Sequence, residues 1–354
     1  MTNSQMTNRR TILKAGVAVA TTIAAPLVIT KRAEAEDNIL YINTWGGTIE
    51  AAENATFYKS FTAKTGIQIR TVSPVSLAKL KAQIQTGNYE WDVTTLNLVD
   101  FYQAMSENLV EPLDFTVINK NNIPEGGIIE NAITSVLQGT NLIYRKDRFP
   151  NGGPQSWADF WNIKKFPGKR GLYNQAVTAL EFALLADGVP KDKLYPLDMD
   201  RAYKKLDEIK PHITVWWTQG NQSESLIRDG EVDMMSIWNG RGQTVIDQGS
   251  PVEMVWNEAH CDVNTYFAPR GTPRKKLAMQ YLEHTIQAKP QGEFCNILPY
   301  GPSNPKAFDF MTKEAIAKSP TAPDHARLTF TPDAKWLTPR IAQIKDRFAQ
   351  WLAA

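Results

Sequence analysis

Cysteine is scarce: 354 residues hold only Cys261 and Cys295. Their spacing alone leaves a disulfide open, because a bridge depends on a Cα separation that sequence does not give. Histidine is also rare, with His212, His260, His284 and His325 scattered at no spacing that suits zinc. No Gly-x-Ser-x-Gly elbow, Walker phosphate loop or Gly-x-Gly-x-x-Gly fingerprint occurs. The run His260-Cys261-Asp262 invites an enzyme reading, but adjacent residues on a strand point to opposite faces, so it is no dyad. The expectation is a protein that is not an enzyme and carries no cofactor and no metal. An excess of one charge is missing too, with 39 basic residues against 37 acidic. Five of the bases (Arg9, Arg10, Lys14, Lys31, Arg32) fall in the first 35 residues beside one acid, Glu34, so the remainder is close to neutral. A nucleic-acid partner needs a net basic face and is not expected.

The amino terminus carries the sharpest local signal. Arg9-Arg10-Thr11-Ile12-Leu13-Lys14 is a charged segment with a twin arginine. An uncharged stretch follows from Ala15 to Thr30, interrupted by Pro26, and Ala33-Glu34-Ala35 offers a small-x-small cleavage pattern. The apolar run is short for a membrane span, which needs about 20 residues. Residues 1–35 therefore read as a twin-arginine-type export signal cleaved after Ala35, with a retained anchor as the alternative. A passenger of that route folds before export, so any bridge between the two cysteines would be added late and would not be needed for folding.

The rest of the chain alternates strand and helix signals. Asn38–Asn43 reads as a strand and Glu50–Ala63 as a helix with Ala51, Ala55, Tyr58 and Phe61 on one stripe. Ile67–Val72 is the next strand, Ser76–Thr86 a helix closed by Gly87, Asp92–Leu98 a strand and Phe101–Asn108 a helix. That β-α-β-α-β-α order argues for a parallel sheet covered by helices. Later come helices over Ser156–Trp161, Thr178–Ala186, Met199–Ile209, Ser223–Asp229 and Arg274–Gln287. Strands fall over Gly171–Tyr173, Ile213–Trp216, Asp233–Trp238, Val252–Trp256 and Tyr266–Ala268, with a loop at Tyr300–Pro302 and an amphipathic helical tail from Pro332 to Leu352. No repeat, low-complexity tract or Gly/Ser-rich linker divides the chain, so two α/β lobes would be joined by short crossings.

Eight segments, in order, carry a resemblance. They are Leu40–Gly47, Phe61–Ile67, Tyr89–Val93, Ser156–Trp161, Phe166–Gly171, Gly230–Asp233, Ile237–Gly240 and Pro299–Pro302. Together the chain resembles the spermidine/putrescine-type periplasmic receptors of ABC importers, from about residue 37 to 308. The resemblance implies a type II periplasmic-binding-protein fold of the α/β class, with two lobes, a ligand cleft between them and two hinge crossings. The crossings fall near Leu142 and Asp262. Lobe 1 then takes residues 37–141 and 263–306, and lobe 2 takes 142–262 and 307–354. It also implies a monomer in the periplasm that captures a small-molecule ligand for a cognate ABC permease in the inner membrane. Some related receptors bind ferric ion through adjacent tyrosines, a pair absent here.

In polyamine receptors the cleft has aromatic walls and carboxylates for the ammonium groups, and aromatic faces attract cations. The resemblance places Trp45, Trp238 and Tyr300 in the walls. The carboxylate positions depart from it: Gln175, Thr178 and Asn264 stand where the family has acids. Asp262, two residues before Asn264 and on the same strand face, offers a carboxylate nearby. Arg241 stands where polyamine receptors have a small residue; its planar fork suits a carboxylate or phosphonate. The alternative for Arg241 is a local ion pair with Asp247. Gly46-Gly47-Thr48 opens a helix whose free N–H groups favour an anion. Asn97, Gln138, Gln222 and Ser223 are cleft candidates that equally suit caps and turns. The ligand expected is a small solute with an anionic group, such as an amino acid or amine-acid. The alternatives are a true polyamine, putrescine or spermidine, and a membrane-tethered chemosensory role without a transporter.

Overall fold

The computed structural model describes residues 38–354. The twin-arginine segment and the cleavage after Ala35 lie outside the described residues.

The chain opens with β1 (Ile39–Asn43), α1 (Gly47–Glu53), a π-helical turn over Asn54–Tyr58, α2 (Lys59–Thr65), β2 (Gln68–Val72), α3 (Leu77–Thr86), β3 (Thr94–Asn97) and α4 (Leu98–Ser106). The start of α3 follows from Ser76, whose hydroxyl accepts from the Lys79 N–H at 3.2 Å. Its end follows from Gly87 in the left-handed conformation at φ +73°. β1 and β2 pair in parallel, as the alternating pattern predicts. The stripe on the first helix differs from expectation: Ala51 and Ala55 are exposed, while Ala52, Glu53, Thr56, Phe57, Tyr58 and Phe61 are buried. The π turn inserts a residue into the helical ladder and so rotates the apolar face.

The second departure concerns the sheet. β4 (Ile128–Ile129) and β5 (Ala132–Arg145) lead to α5 (Trp157–Trp161), β6 (Arg170–Tyr173), α6 (Ala176–Ala186), α7 (Met199–Ile209), β7 (Ile213–Trp217), α8 (Gly220–Arg228), β8 (Met234–Trp238), α9 (Asn239–Asp247) and β9 (Val252–Phe267). The main sheet has the order β3-β9-β5-β8-β6-β7. β3 joins it antiparallel to β9, so the first unit is not a purely parallel sheet. The 14-residue β5 has no counterpart in the sequence reading. The two short strands expected at 252–256 and 266–268 are one strand of 16 residues. Asn257 to Thr265 between them is rich in polar residues and reads as loop, yet β5 pairs with β9 across it from Gly139↔Cys261 to Leu137↔Val263. Leu142 and Asp262 therefore lie on adjacent antiparallel strands.

After β9 come α10 (Lys275–Thr285), α11 (Ala288–Ile297), β10 (Gly301–Pro302) and, in the tail, α12 (Ile341–Ala353). Asn239-Gly240-Arg241, where the strand ends, is the first turn of α9. One apolar cluster is built on α5, α6 and α7 around Trp157, Phe160, Phe182 and Leu206, with Phe348 from α12. Trp157 stacks on Phe182 with centroids 3.7 Å apart. A second is built around Phe57, Phe61, Tyr281 and Phe294. α6 is buried on nearly every side, which carries Glu181 into the interior with it.

Candidate ligand-binding cleft

A cavity of about 790 Å³ opens at the ends of the central strands. The alternation along β9 builds one wall. His260, Asp262, Asn264 and Tyr266, two residues apart, all reach the cavity. Thr95 and Asn97 of β3, Ser135, Gln138 and Thr140 of β5, and Tyr173 of β6 continue it. Eleven of the fifteen residues singled out from the sequence line this space: Trp45, Thr48, Asn97, Gln138, Gln175, Thr178, Trp238, Arg241, Asp262, Asn264 and Tyr300. Gly46 and Gly47 do not; at φ +80° and +59° they form the left-handed turn between Trp45 and α1. Gln222 and Ser223 are also outside it, Gln222 accepting from the Thr218 N–H and Ser223 donating to the Gly220 carbonyl.

The aromatic wall is braced from behind. Trp238 meets Tyr173 and Trp217 edge to face at 5.3 and 5.4 Å, and those two rings stack at 4.4 Å. Tyr300 packs against Phe294. Burial pushes the Tyr300 phenol up, while the positive charge of Arg241 pulls it down, so the two side chains are neighbours. Arg241 makes an ion pair, but not with Asp247. Its Nη1 donates to Glu224 Oε1 on α8 at 2.8 Å. Asp247 is held instead by Lys318 at 3.0 Å and by Gln243 at 2.8 Å.

Two candidates double as helix caps. Asn97 Oδ1 accepts from the Asp100 N–H, and its Nδ2 donates to the Asp100 carboxylate, both at 2.9 Å. Gln175 Oε1 accepts from the Thr178 N–H at 2.7 Å at the start of α6. The capping role was among the expectations for Asn97 but not for Gln175.

Two buried carboxylates escaped the sequence reading. Glu53 lines the cavity and accepts from Thr44 Oγ1 at 2.6 Å, Tyr58 OH at 2.7 Å and Tyr266 OH. Burial raises its pKa and the hydroxyl donors oppose that rise. Glu181, fully buried, accepts from Tyr195 OH and lies 2.6 Å from His260 Nδ1. The other ring nitrogen of His260 is 3.2 Å from Asp262 Oδ1. Burial alone would disfavour a charged imidazole, yet Glu181 and Asp262 outweigh it and push His260 up to about 10. Cys261 and Cys295 are separate, buried free thiols. Burial, with Asp262 adding to it, pushes the Cys261 thiol up to about 12, so it is a poor nucleophile. Among the described residues no group of three or more His, Cys, Asp or Glu is placed to hold a metal ion.

The cavity thus combines aromatic, cationic and anionic side chains, as small-molecule sites do. Residues 56–324 match the family model described as bacterial extracellular solute-binding protein. The chain belongs to that family. A gamma-aminobutyric acid-binding protein from Pseudomonas aeruginosa is 31% identical over 334 residues, covering 92% of this chain and 94% of the relative. The solved structure of an ABC transporter substrate-binding protein from Bradyrhizobium japonicum is 36% identical with a TM-score of 0.84, covering 88% of this chain and 99% of that one. A solved GABA receptor is 32% identical with a TM-score of 0.82, covering 89% and 98%. Spermidine/putrescine-binding periplasmic proteins are among the relatives at 20–23% identity. The resemblance read from the eight segments thus holds, and with it the two-lobed periplasmic-binding-protein fold. The chain is the substrate-binding component of an ABC transporter.

Proposed function

We propose that this receptor captures a small zwitterion, an ω-amino acid of the GABA kind, and not a simple polyamine. The observation that carries the reading is that one cavity is lined by a cation, Arg241, an anion, Asp262, and the aromatic faces of Trp45, Trp238 and Tyr300. Thr140 of β5 pairs with His260 of β9 and with Trp238 of β8, so the strands that lead to Asp262 and to Arg241 run two strand spacings apart. That is about 10 Å of backbone separation, room for a chain of several methylenes between two charged ends. Arg241 takes the ligand carboxylate through the donors that Glu224 leaves free, each charge-assisted bond contributing about 1.5–3 kcal/mol. Asp262 takes the ammonium, and Trp45, Trp238 and Tyr300 cover the methylenes and the cation's flank. The binding preferences named for the two GABA-binding relatives support the same chemistry.

The remaining parts of the reading rest on the amino-terminal sequence and on the family resemblance. The precursor is exported through the twin-arginine signal, cleaved after Ala35, and works in the periplasm as a monomer without catalytic activity. Residues 37–141 and 263–306 form one lobe, and 142–262 with 307–354 the other. They close on the ligand about crossings near Leu142 and Asp262 and present it to the cognate permease. Intact-mass measurement of periplasmic protein tests the cleavage; a retained amino terminus in the membrane fraction contradicts it. Calorimetric titration with GABA and putrescine tests the ligand class: GABA binding with weak or absent putrescine binding is expected, and tight putrescine binding alone rejects it.

A further inference from the structure

His260 is buried, and each ring nitrogen faces a carboxylate oxygen: Nδ1 is 2.6 Å from Glu181 Oε2 and Nε2 is 3.2 Å from Asp262 Oδ1. A neutral imidazole has one N–H and one lone pair, so one of those contacts would set a lone pair against a carboxylate. Both contacts are favourable when the ring is an imidazolium. Its aromatic and phenolic neighbours carry no charge. Phe330 from the tail meets the ring edge to face at 5.6 Å, and Tyr195 OH donates to the second oxygen of Glu181. Glu181, His260 and Asp262 then form one unit with a net charge of one negative, of which only Asp262 reaches partly into the open.

We propose that His260, anchored by Glu181, is the positioning and specificity residue of the amine subsite: it holds the Asp262 carboxylate in place, occupies its Oδ1, and limits the subsite to one ammonium group. This rests on the reading that Asp262 receives the ligand's amine. The buried positive charge cancels one of two adjacent carboxylates. A zwitterion with one amine is matched by what remains. A diamine brings a second positive charge for which the unit has no partner, in a cavity that Arg241 also lines. The interior pair thereby sets selectivity although neither Glu181 nor the ring need touch the methylene chain. The high affinity of His260 for its proton agrees with this arrangement.

The test is calorimetry with GABA and putrescine on the full mature chain and three variants. In His260→Gln the unit gains a net negative charge and loses its lock, so selectivity should shift toward putrescine by about tenfold or more. In the double variant Glu181→Gln/His260→Gln one negative and one positive charge are removed together, and selectivity should return to within about threefold of wild type. A role in packing alone would weaken both ligands in parallel, and an unchanged ratio in His260→Gln overturns the proposal. If Asp262→Asn leaves GABA affinity unchanged, the amine is not at Asp262, and both the subsite and the reading it rests on fail. If Asp262→Asn weakens GABA while His260→Gln leaves the ratio unmoved, only the present inference fails. Should His260→Gln not fold, nitrogen NMR of the wild-type ring decides: both nitrogens protonated near neutral pH supports the proposal, and a neutral tautomer overturns it.

Discussion

Arg241 and Glu224, seventeen positions apart on neighbouring helices, meet at 2.8 Å at the rim of the cavity. Glu224 is the more enclosed of the two, so it acts as the fixed partner that aims the guanidinium. Pre-aiming lowers the side-chain entropy lost on binding, which is about 0.5–1.5 kcal/mol for such a side chain. Glu224→Gln should therefore weaken the ligand by about three- to tenfold with little change in melting temperature. Calorimetry beside thermal denaturation separates the two effects, and a large loss of stability with unchanged affinity would assign Glu224 a structural role.

Gly220 lies directly under this pair. A Cβ at that position would sit 2.7 Å from Arg241 Nε and 3.1 Å from Trp238 Cζ3. Gly220→Ala should push the guanidinium off its site and tilt the indole, weakening binding by about tenfold while the fold persists. Affinity equal to wild type would show that neither side chain needs its present position.

The pairing of Arg241 with Glu224 also marks where sequence reasoning stops. Local signals were readable: Ser76 and Gly87 bound their helix, Met199–Ile209 has the expected limits, and 262 and 264 share a face as strand alternation requires. That Trp45, Trp238 and Tyr300 line one cavity was readable from motif position. What escaped depends on distant partners or on a break in period. The acid for Arg241 was sought at Asp247 on the same helix and stands at Glu224 on another. Glu181 looked like one polar residue on an apolar helix, because its partner His260 is 79 positions away. Glu53 was hidden by the π turn, which no 3.6-residue pattern reveals. β5 and the middle of β9 carry cavity-facing polar residues, so they lack the apolar run that announces a strand.

Two histidines shape stability against pH in opposite directions. His260 is raised from 6.5 to about 10 on folding, so its contribution is full below about 6.5 and is lost as pH rises toward 10. His284 is lowered from 6.5 to about 4, first by burial and then by Lys64, so its contribution is present above 6.5 and lost as pH falls through 4. Denaturant titrations across this range should show a plateau near 6.5 with two falling limbs. His260→Gln should flatten the alkaline limb and His284→Gln the acid limb; unchanged limbs would remove these groups from the linkage.

Trp157 is fully buried, stacks on Phe182, and donates its indole N–H to the Glu258 carbonyl at 3.0 Å. Trp157→Ala should cost about 3–5 kcal/mol by cavity formation and an unpaired carbonyl. Urea unfolding measures it, and a cost under about 1 kcal/mol would mean the site collapses around the loss.

The most direct measurement is a calorimetric comparison of GABA and putrescine on the wild-type mature chain and on Arg241→Ala. The proposal rests on Arg241 beside Trp238 in a cavity also lined by the uncharged Gln175, Thr178 and Asn264, an arrangement that favours a ligand anion over a dication. The expected result is GABA bound by wild type, at least about tenfold weaker binding in Arg241→Ala, and weak or no binding of putrescine. Tight putrescine binding that survives Arg241→Ala would contradict it.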